Sequence, residues 1–356
     1  MRLWHVNPPE DPPASRRPRD AATPYVIALD VGGTGMKAAL LGEGGTVLHE
    51  ARRATPRERG PRAALSAVLG FADGLRAAGR ERFGGEPAAA GVAVPGLVDE
   101  AGGTVRFSAN LGWRDVPLRR LLADRLDGLP VGLGHDVRSG GLAEARQGAG
   151  AGVDRFLFVA LGTGVSGAIG IEGRVEGGAH GGAGEIGHLV VRPGGEQCGC
   201  GQRGCLETLA SAAAVGRAWS AACGDPAADA ADAARAVAAG DPRAVAVWQR
   251  AVDALADGLI VTVTLLDPAT VIVGGGLAEA GDTLLTPLRK ALADRVTFQR
   301  LPTVVPAALG DLAGCLGAGI LAWDSRRPGP GPQTGGRPAT APPTSPRTTE
   351  VVTHEG

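Results

Sequence analysis

Residues 25–30, Tyr-Val-Ile-Ala-Leu-Asp, are an apolar run suited to a buried strand; the run breaks at Gly32, Gly33 and Thr34 and resumes over residues 36–41. The same figure returns at residues 156–161, which meet Gly162, Thr163 and Gly164 and resume over residues 166–171. A strand–Gly/Thr turn–strand unit that occurs twice predicts a duplicated α/β domain. The intervening chain supports this, with strands expected over 47–53, 88–94 and 130–134 and helices over 61–75, 118–126 and 137–146. Strands alternate with helices, so the class is α/β. Beyond residue 206 the chain reads as helical, with a long helix over 244–266 stopped by Asp267 and Pro268. A last strand over 270–273 runs into Gly274, Gly275 and Gly276, at the strand end where open α/β sheets hold ligands.

Composition removes several classes of function. The chain has 356 residues, 44% hydrophobic and 21% charged, enough to bury a core. Its 36 basic and 37 acidic side chains leave no surplus field for nucleic acid or an anionic membrane. No apolar run approaches the ~20 residues that span a bilayer, and the N-terminus has no secretory apolar region, so a cytoplasmic protein is expected. Residues 1–24 and 327–356, rich in proline with arginine or glycine, are expected to be disordered.

The motifs have both chemical and ordinary readings. Asp30, with Gly32, Gly33 and Thr34, can present backbone N–H groups to phosphate and a carboxylate to a hydrated Mg²⁺; the same residues can make a plain hairpin turn. Asp136 follows a strand and opens a helix, so it is either an N-cap or a general base. Glu185 and Glu207 can each hold sugar hydroxyls, or be a solvated loop residue and a first-turn carboxylate. Asn110 offers a donor and an acceptor, or closes a turn. His188 with Cys198, Cys200 and Cys205 is a complete tetrahedral set for structural zinc, with glycines that permit the tight turns. Cys223 and Cys315 read as small buried hydrophobes.

Taken together, Asp30-x-Gly-Gly-Thr, Asn110-Leu-Gly-Trp, Asp136, Glu185-x-Gly-His188 and the cysteine cluster leading to Glu207 resemble the ROK family, particularly its glucokinase-like sugar kinases, over about residues 25–325. The resemblance implies an actin-like, ribonuclease-H-type ATPase fold: two α/β domains around a cleft. Residues 25–136, completed by a helix near 312–325, would form one domain and residues 137–311 the other. It implies transfer of the γ-phosphate of Mg-ATP to the 6-hydroxyl of a hexose, glucose first and N-acetylglucosamine or N-acetylmannosamine second.

By the same resemblance, Asp136 is the catalytic base, and Asn110, His135, Glu185, His188 and Glu207 stand at sugar-contacting positions. Asp30, Gly32, Gly33, Thr34, Lys37, Thr163 and Gly164 match the phosphate-binding region, and Gly275 and Gly276 the adenosine end. His188, Cys198, Cys200 and Cys205 match the zinc ligands. A homodimer or homotetramer is implied. Two residues depart from the family pattern. Gly35 stands where lysine is usual, with Lys37 two positions on, a spacing similar to that of polyphosphate-using glucokinases; ATP is the favoured donor. His135 stands where asparagine is common. The alternative of another class is a non-catalytic sugar sensor; a repressor would need a winged helix before residue 25, and that segment is too short and too proline-rich for one.

Overall fold

The structure, a computed structural model, describes residues 23–326. The expected disordered segments lie outside the described residues, save for residues 23 and 24. Strand β1 (Tyr25–Val31) is buried on both faces. Its odd residues Tyr25, Ile27 and Leu29 pack on Val68, Phe71 and Leu75 of helix α1 (Pro61–Phe83), while Val26 and Ala28 pack with Cys315 and Leu316 of helix α9 (Ala313–Ser325). The period-2 alternation of a strand therefore fills two layers at once. β1 pairs antiparallel with β2 (Gly35–Gly42), which pairs with β3 (Val47–Ala54), and parallel with β4 (Ala90–Val94), beside which lies β8 (Val131–His135). The order is β3-β2-β1-β4-β8.

The second sheet repeats the arrangement with β9 (Arg155–Leu161), β10 (Val165–Ile171), β11 (Arg174–Glu176), β12 (Thr270–Gly274) and β13 (Thr303–Pro306), in the order β11-β10-β9-β12-β13. Leu157, Val159 and Leu161 of β9 meet Val252, Leu255 and Leu259 of helix α7 (Pro242–Leu266). On the other face, Phe156 and Phe158 meet Ala145 of helix α3 (Asp136–Gln147). Each such buried valine, leucine or phenylalanine contributes about 1.5–3 kcal/mol. Helices α3 and α9 pack on each other, α3 also against the second sheet and α9 against the first. This duplicated mixed sheet is the actin-like, ribonuclease-H-type ATPase architecture.

Helix ends follow local chemistry. The Asp241 carboxylate caps α7 at Arg243 N, Pro242 occupies its first turn, and Asp267, in the left-handed region, closes it before Pro268. Helix α1 outruns the expected end at residue 75, because its first strong stop is the left-handed Gly84. A small antiparallel sheet of β5 (Leu97–Asp99), β6 (Thr104–Ser108) and β7 (Trp113–Val116) was not anticipated. It lies with α2 (Leu118–Arg125) at the edge of the first core, where Val98, Val105, Trp113 and Leu122 are buried. In the second half α4 (Glu207–Ala210), α5 (Ala212–Cys223), α6 (Ala230–Ala238) and α8 (Asp282–Ala293) complete the outer layer around α7. Among the described residues no helix is long and apolar enough to cross a membrane.

Candidate active site

A cleft of about 500 Å³ opens at the carboxyl ends of β1, β8, β9 and β12, where parallel strands leave room for ligands. Asp30, Lys37, Asp136, Gly162, Gly275 and Gly276 all line it. Asp30 is the last polar residue of β1 and the cross-strand partner of Lys37. Burial, reinforced by the negative charge of Asp136, pushes its carboxyl up to about 6. The Lys37 ammonium is engaged by the Asp311 carboxylate, which also pairs with Arg52 at 2.7 Å. These two cations hold Asp311 below the usual carboxylate range. Asp30 is thus a desolvated carboxylate in need of a cation, which suits a metal arriving with a polyanion.

Three backbone turns surround this charge. In the first, Gly32 N–H donates to Gly35 O (2.8 Å), and Thr55 braces it twice, Oγ1 to Gly32 O (2.7 Å) and N–H to Thr34 O (3.1 Å). In the second, Gly162 N–H donates to Gly164 O (3.0 Å) and Val165 N–H donates to Glu207 Oε2 (3.0 Å). In the third, Gly275 has φ +85°, and a Cβ there would stand 2.6 Å from Leu161 O, so only glycine fits. The wall behind it is apolar, formed by Phe158, Ala160, Val273 and Ala278.

A second group of side chains is built around the start of α3. Asp136 is not the N-cap, as one reading of the sequence had it; it occupies the first helical position, and its Oδ1 accepts from Val137 N–H (2.8 Å). The cap is His135, which ends β8 in extended conformation and accepts from Arg138 N–H at Nδ1 (3.4 Å). Aspartate is the commoner cap, but here the strand continues one residue further than its apolar run and hands the role to the imidazole. His135 Nε2 lies 3.3 Å from Asp136 Oδ1 and 3.9 Å from Glu185 Oε1. Asn110 is exposed and borders the first turn: its Cβ lies 3.1 Å from where a Cβ on Gly33 would stand. Glu207 and Thr163 line a smaller cavity of about 190 Å³ together with Cys198. Of the expected residues, Asp30, Lys37, Asp136, Gly275 and Gly276 line the main cleft, Thr163 and Glu207 line the smaller one, and Gly32, Gly33, Thr34, Gly164, Asn110, Glu185 and His188 are in the lining of neither.

The cysteine cluster fits a metal ion. One ligand atom from each of His188, Cys198, Cys200 and Cys205 lies within 4.8 Å of all the others. Cys198 Sγ is 3.7 Å from His188 Nδ1, and Cys200 Sγ is 3.7 Å from Cys205 Sγ. Two thiolates ~2.3 Å from one tetrahedral zinc stand about 3.8 Å apart, so the cage has the right size. Burial pushes the Cys205 thiol up to about 12, while the backbone N–H of Gln202 draws Cys200 down to about 7. With Nδ1 turned to the sulfurs, His188 keeps Nε2 for a second partner.

Several contributors were missed because isolated charged residues have no local signature. Arg138, buried at 4% exposure, donates to Glu100 Oε1 through Nε (3.0 Å) and Nη2 (2.8 Å), and to Gly181 O through Nη1 (2.9 Å). It thereby ties α3 to the turn after β5 and to the loop that leads to Glu185. Glu144, fully buried at the far end of α3, accepts from Ala149, Ala308 and Leu309 N–H and anchors the linker that carries Asp311.

The sequence pattern of the ROK family matches residues 26–325. A glucokinase of Thermotoga maritima is 35% identical over 83% of this chain and 96% of its own length. An N-acetylmannosamine kinase of Pasteurella multocida is 32% identical over 83% of this chain and 95% of its own. Among solved structures, a ROK family glucokinase from Streptomyces griseus in complex with glucose and AMPPNP superposes with a TM-score of 0.74, at 32% identity, covering 84% of this chain and 99% of that one.

Proposed function

The chain belongs to the ROK family, and we propose that within it the protein is an ATP-dependent hexose kinase of the glucokinase type. The observation that carries this reading is Asp136, set at the mouth of a cleft that also holds Asp30, Lys37 and the glycine triplet. Asp136 accepts the proton of the sugar 6-hydroxyl as that oxygen forms a bond to the γ-phosphorus; the bond from that phosphorus to the bridging oxygen breaks and ADP leaves. Asp30 would hold the Mg²⁺, whose charge neutralises the phosphates. The turns present the N–H groups of Gly33, Thr34, Thr163 and Gly164 to the phosphates, with Gly32 shaping the first turn through its bond to Gly35 O, and Lys37 exchanges Asp311 for them. Gly275 and Gly276 border the adenosine.

Asn110, Glu185, His188 and Glu207 hold the sugar hydroxyls. His188, Cys198, Cys200 and Cys205 would hold a zinc ion, which supplies rigidity to the loop bearing Glu185. ATP is favoured over polyphosphate by the apolar wall of Phe158, Ala160 and Val273, for which a phosphate chain has no use. In this reading residues 25–136 with α9 form one lobe and residues 137–311 the other. A homo-oligomer belongs to the same reading: Leu265 and Phe298 are 74% and 81% exposed, and Gln299 joins their segments through Thr264 (2.9 Å). So does a reducing, cytoplasmic setting, because the five cysteines are all free.

The test is sugar-phosphate formation across glucose, mannose, fructose, N-acetylglucosamine and N-acetylmannosamine, first with Mg-ATP, where ADP release reports it, then with polyphosphate, where the sugar phosphate itself is measured. Turnover led by glucose is expected. Turnover led by an N-acetylated hexosamine would make the protein a kinase of that sugar instead, and sugar binding with no turnover on either donor would leave a sensor.

A further inference from the structure

Residues 177–183, Gly-Gly-Ala-His-Gly-Gly-Ala, lead from β11 towards Glu185. A segment so rich in glycine has few side chains with which to hold itself in place. Gly178, Ala179, His180 and Gly182 are exposed, and the loop borders a cavity of about 550 Å³ while contributing to none of the apolar cores. Each end is tied once: Gly178 N–H donates to Glu176 Oε1 (2.7 Å) on β11, and Gly184 O accepts from Gly167 N–H (2.7 Å) on β10. Between those ties, one hydrogen bond from another segment reaches the loop among the described residues, from Arg138 Nη1 to Gly181 O (2.9 Å).

The contact is shaped from both sides. On one side, Nε and Nη2 of the buried guanidinium are engaged by Glu100 Oε1, the oxygen that also accepts from His135 N–H (3.3 Å), so the planar fork is held in the orientation that aims Nη1 at the loop. On the other, Gly181 has φ +76°, and a Cβ there would stand 2.9 Å from Val98 O; the loop backbone lies against β5 at the very residue that Arg138 holds. Arg138 follows Asp136 by two residues, and Gly181 precedes Glu185 by four. The single bond at Gly184 fixes a point and leaves the chain free to pivot about it; Arg138 supplies the second point.

We infer that Arg138 is a positioning residue for the acceptor: through Gly181 O it holds the glycine-rich loop against β5, and so sets where Glu185 stands relative to Asp136. The inference rests on the proposed reading of Glu185 as a sugar contact.

The contact can be broken from either side. Arg138→Lys keeps a charge for Glu100 but has one compact ammonium in place of a fork, so the ion pair survives and Gly181 O loses its donor. Gly181→Ala leaves Arg138 intact and sets a methyl against Val98 O; placed in a loop outside the cores, it also keeps the test open should Arg138→Lys not fold. Both are purified as the full chain and assayed for sugar KM, donor KM and Tm. Each is expected to raise sugar KM about tenfold, the worth of one hydrogen bond to a charged group, with donor KM within about twofold of the parent and Tm lower by less than roughly 4 °C. Parental sugar KM in the folded variants overturns the inference. A parallel rise of both constants does so too, because the contact would then be merely structural, and so does a rise in one folded variant without the other, since the two share only this contact. Glu185→Ala run alongside separates the two levels: if its sugar KM is parental, the reading of Glu185 has failed; if it is raised while both contact variants are parental, only the role of Arg138 has.

Discussion

At the first turn, β1 carries the carboxylate of Asp30 one residue before its end, where it faces Lys37 across the hairpin, and the turn is braced by Thr55. At the second, β9 ends in Leu161, β10 begins in Val165, and the carboxylate in contact is Glu207, brought in by α4 from the acceptor side. Two units of one topology thus handle charge differently. The first carries its own charge and is supported by a neutral hydroxyl, which suits the donor role proposed for it. The second is made of neutral backbone and borrows the Glu207 carboxylate, to which the proposed function also gives the sugar. Duplication supplies a symmetric scaffold, and the asymmetry of the reaction is laid on it by single residues that reach the turns from elsewhere.

The first turn is broken hardest through Asp30. Asp30→Asn is expected to lower kcat by roughly 10²-fold or more, because the charge proposed to hold the metal is gone. The same substitution should raise stability. With its folded pKa lifted to about 6, above the unfolded value, Asp30 penalises the fold wherever it is ionised, a cost on the order of 2–3 kcal/mol. Without ligand, the variant should melt roughly 3–6 °C higher at pH 7.5, and this gain should shrink as pH falls through 6 and vanish below the usual carboxylate range. An unchanged Tm at pH 7.5 would show that Asp30 is already neutralised.

The acceptor side is broken next through the metal cage. Chelation, or Cys198→Ala, should remove bound zinc, read by atomic absorption, and raise sugar KM by about tenfold or more while donor KM moves less than about twofold. A zinc-free protein with parental sugar KM would detach the cage from the site. Glu207→Ala sharpens the contrast between turns: it should raise sugar KM and donor KM together, each by about tenfold, since one carboxylate serves both. If sugar KM moved alone, the bond to Val165 N–H would carry no coupling. The smallest effect is expected at the brace of the first turn. Thr55→Val should raise donor KM about threefold, leave sugar KM unchanged and cost about 1 kcal/mol in urea unfolding, the worth of one buried hydrogen bond.

What could be read from the sequence follows the same division. Both strand–turn–strand units were legible because their apolar runs and glycines are local, as were the body of α7, with Asp267 and Pro268 at its end, and the cysteine cluster, crowded within a short segment. The small β5–β7 sheet was not, because Thr104-Val-Arg-Phe-Ser108 alternates too weakly to stand out from a loop. Asp136 was placed in the site but given the wrong alternative as helix cap, since the cap depends on where β8 ends rather than on residue preference. Asp311, Glu144 and the Arg138–Glu100 pair were invisible: each acts through a partner far along the chain, and a lone carboxylate or guanidinium looks the same in sequence whether it is solvated or buried.

The account turns on Asp136 as the group that takes the hydroxyl proton. The most direct measurement is single-turnover phosphoryl transfer by Asp136→Ala beside the parent, with glucose and nucleotide binding measured on both by calorimetry. The account predicts that the variant binds both ligands within a few-fold of the parent and transfers phosphate at least about 10³-fold more slowly. A variant that binds normally and transfers at the parental rate would contradict it.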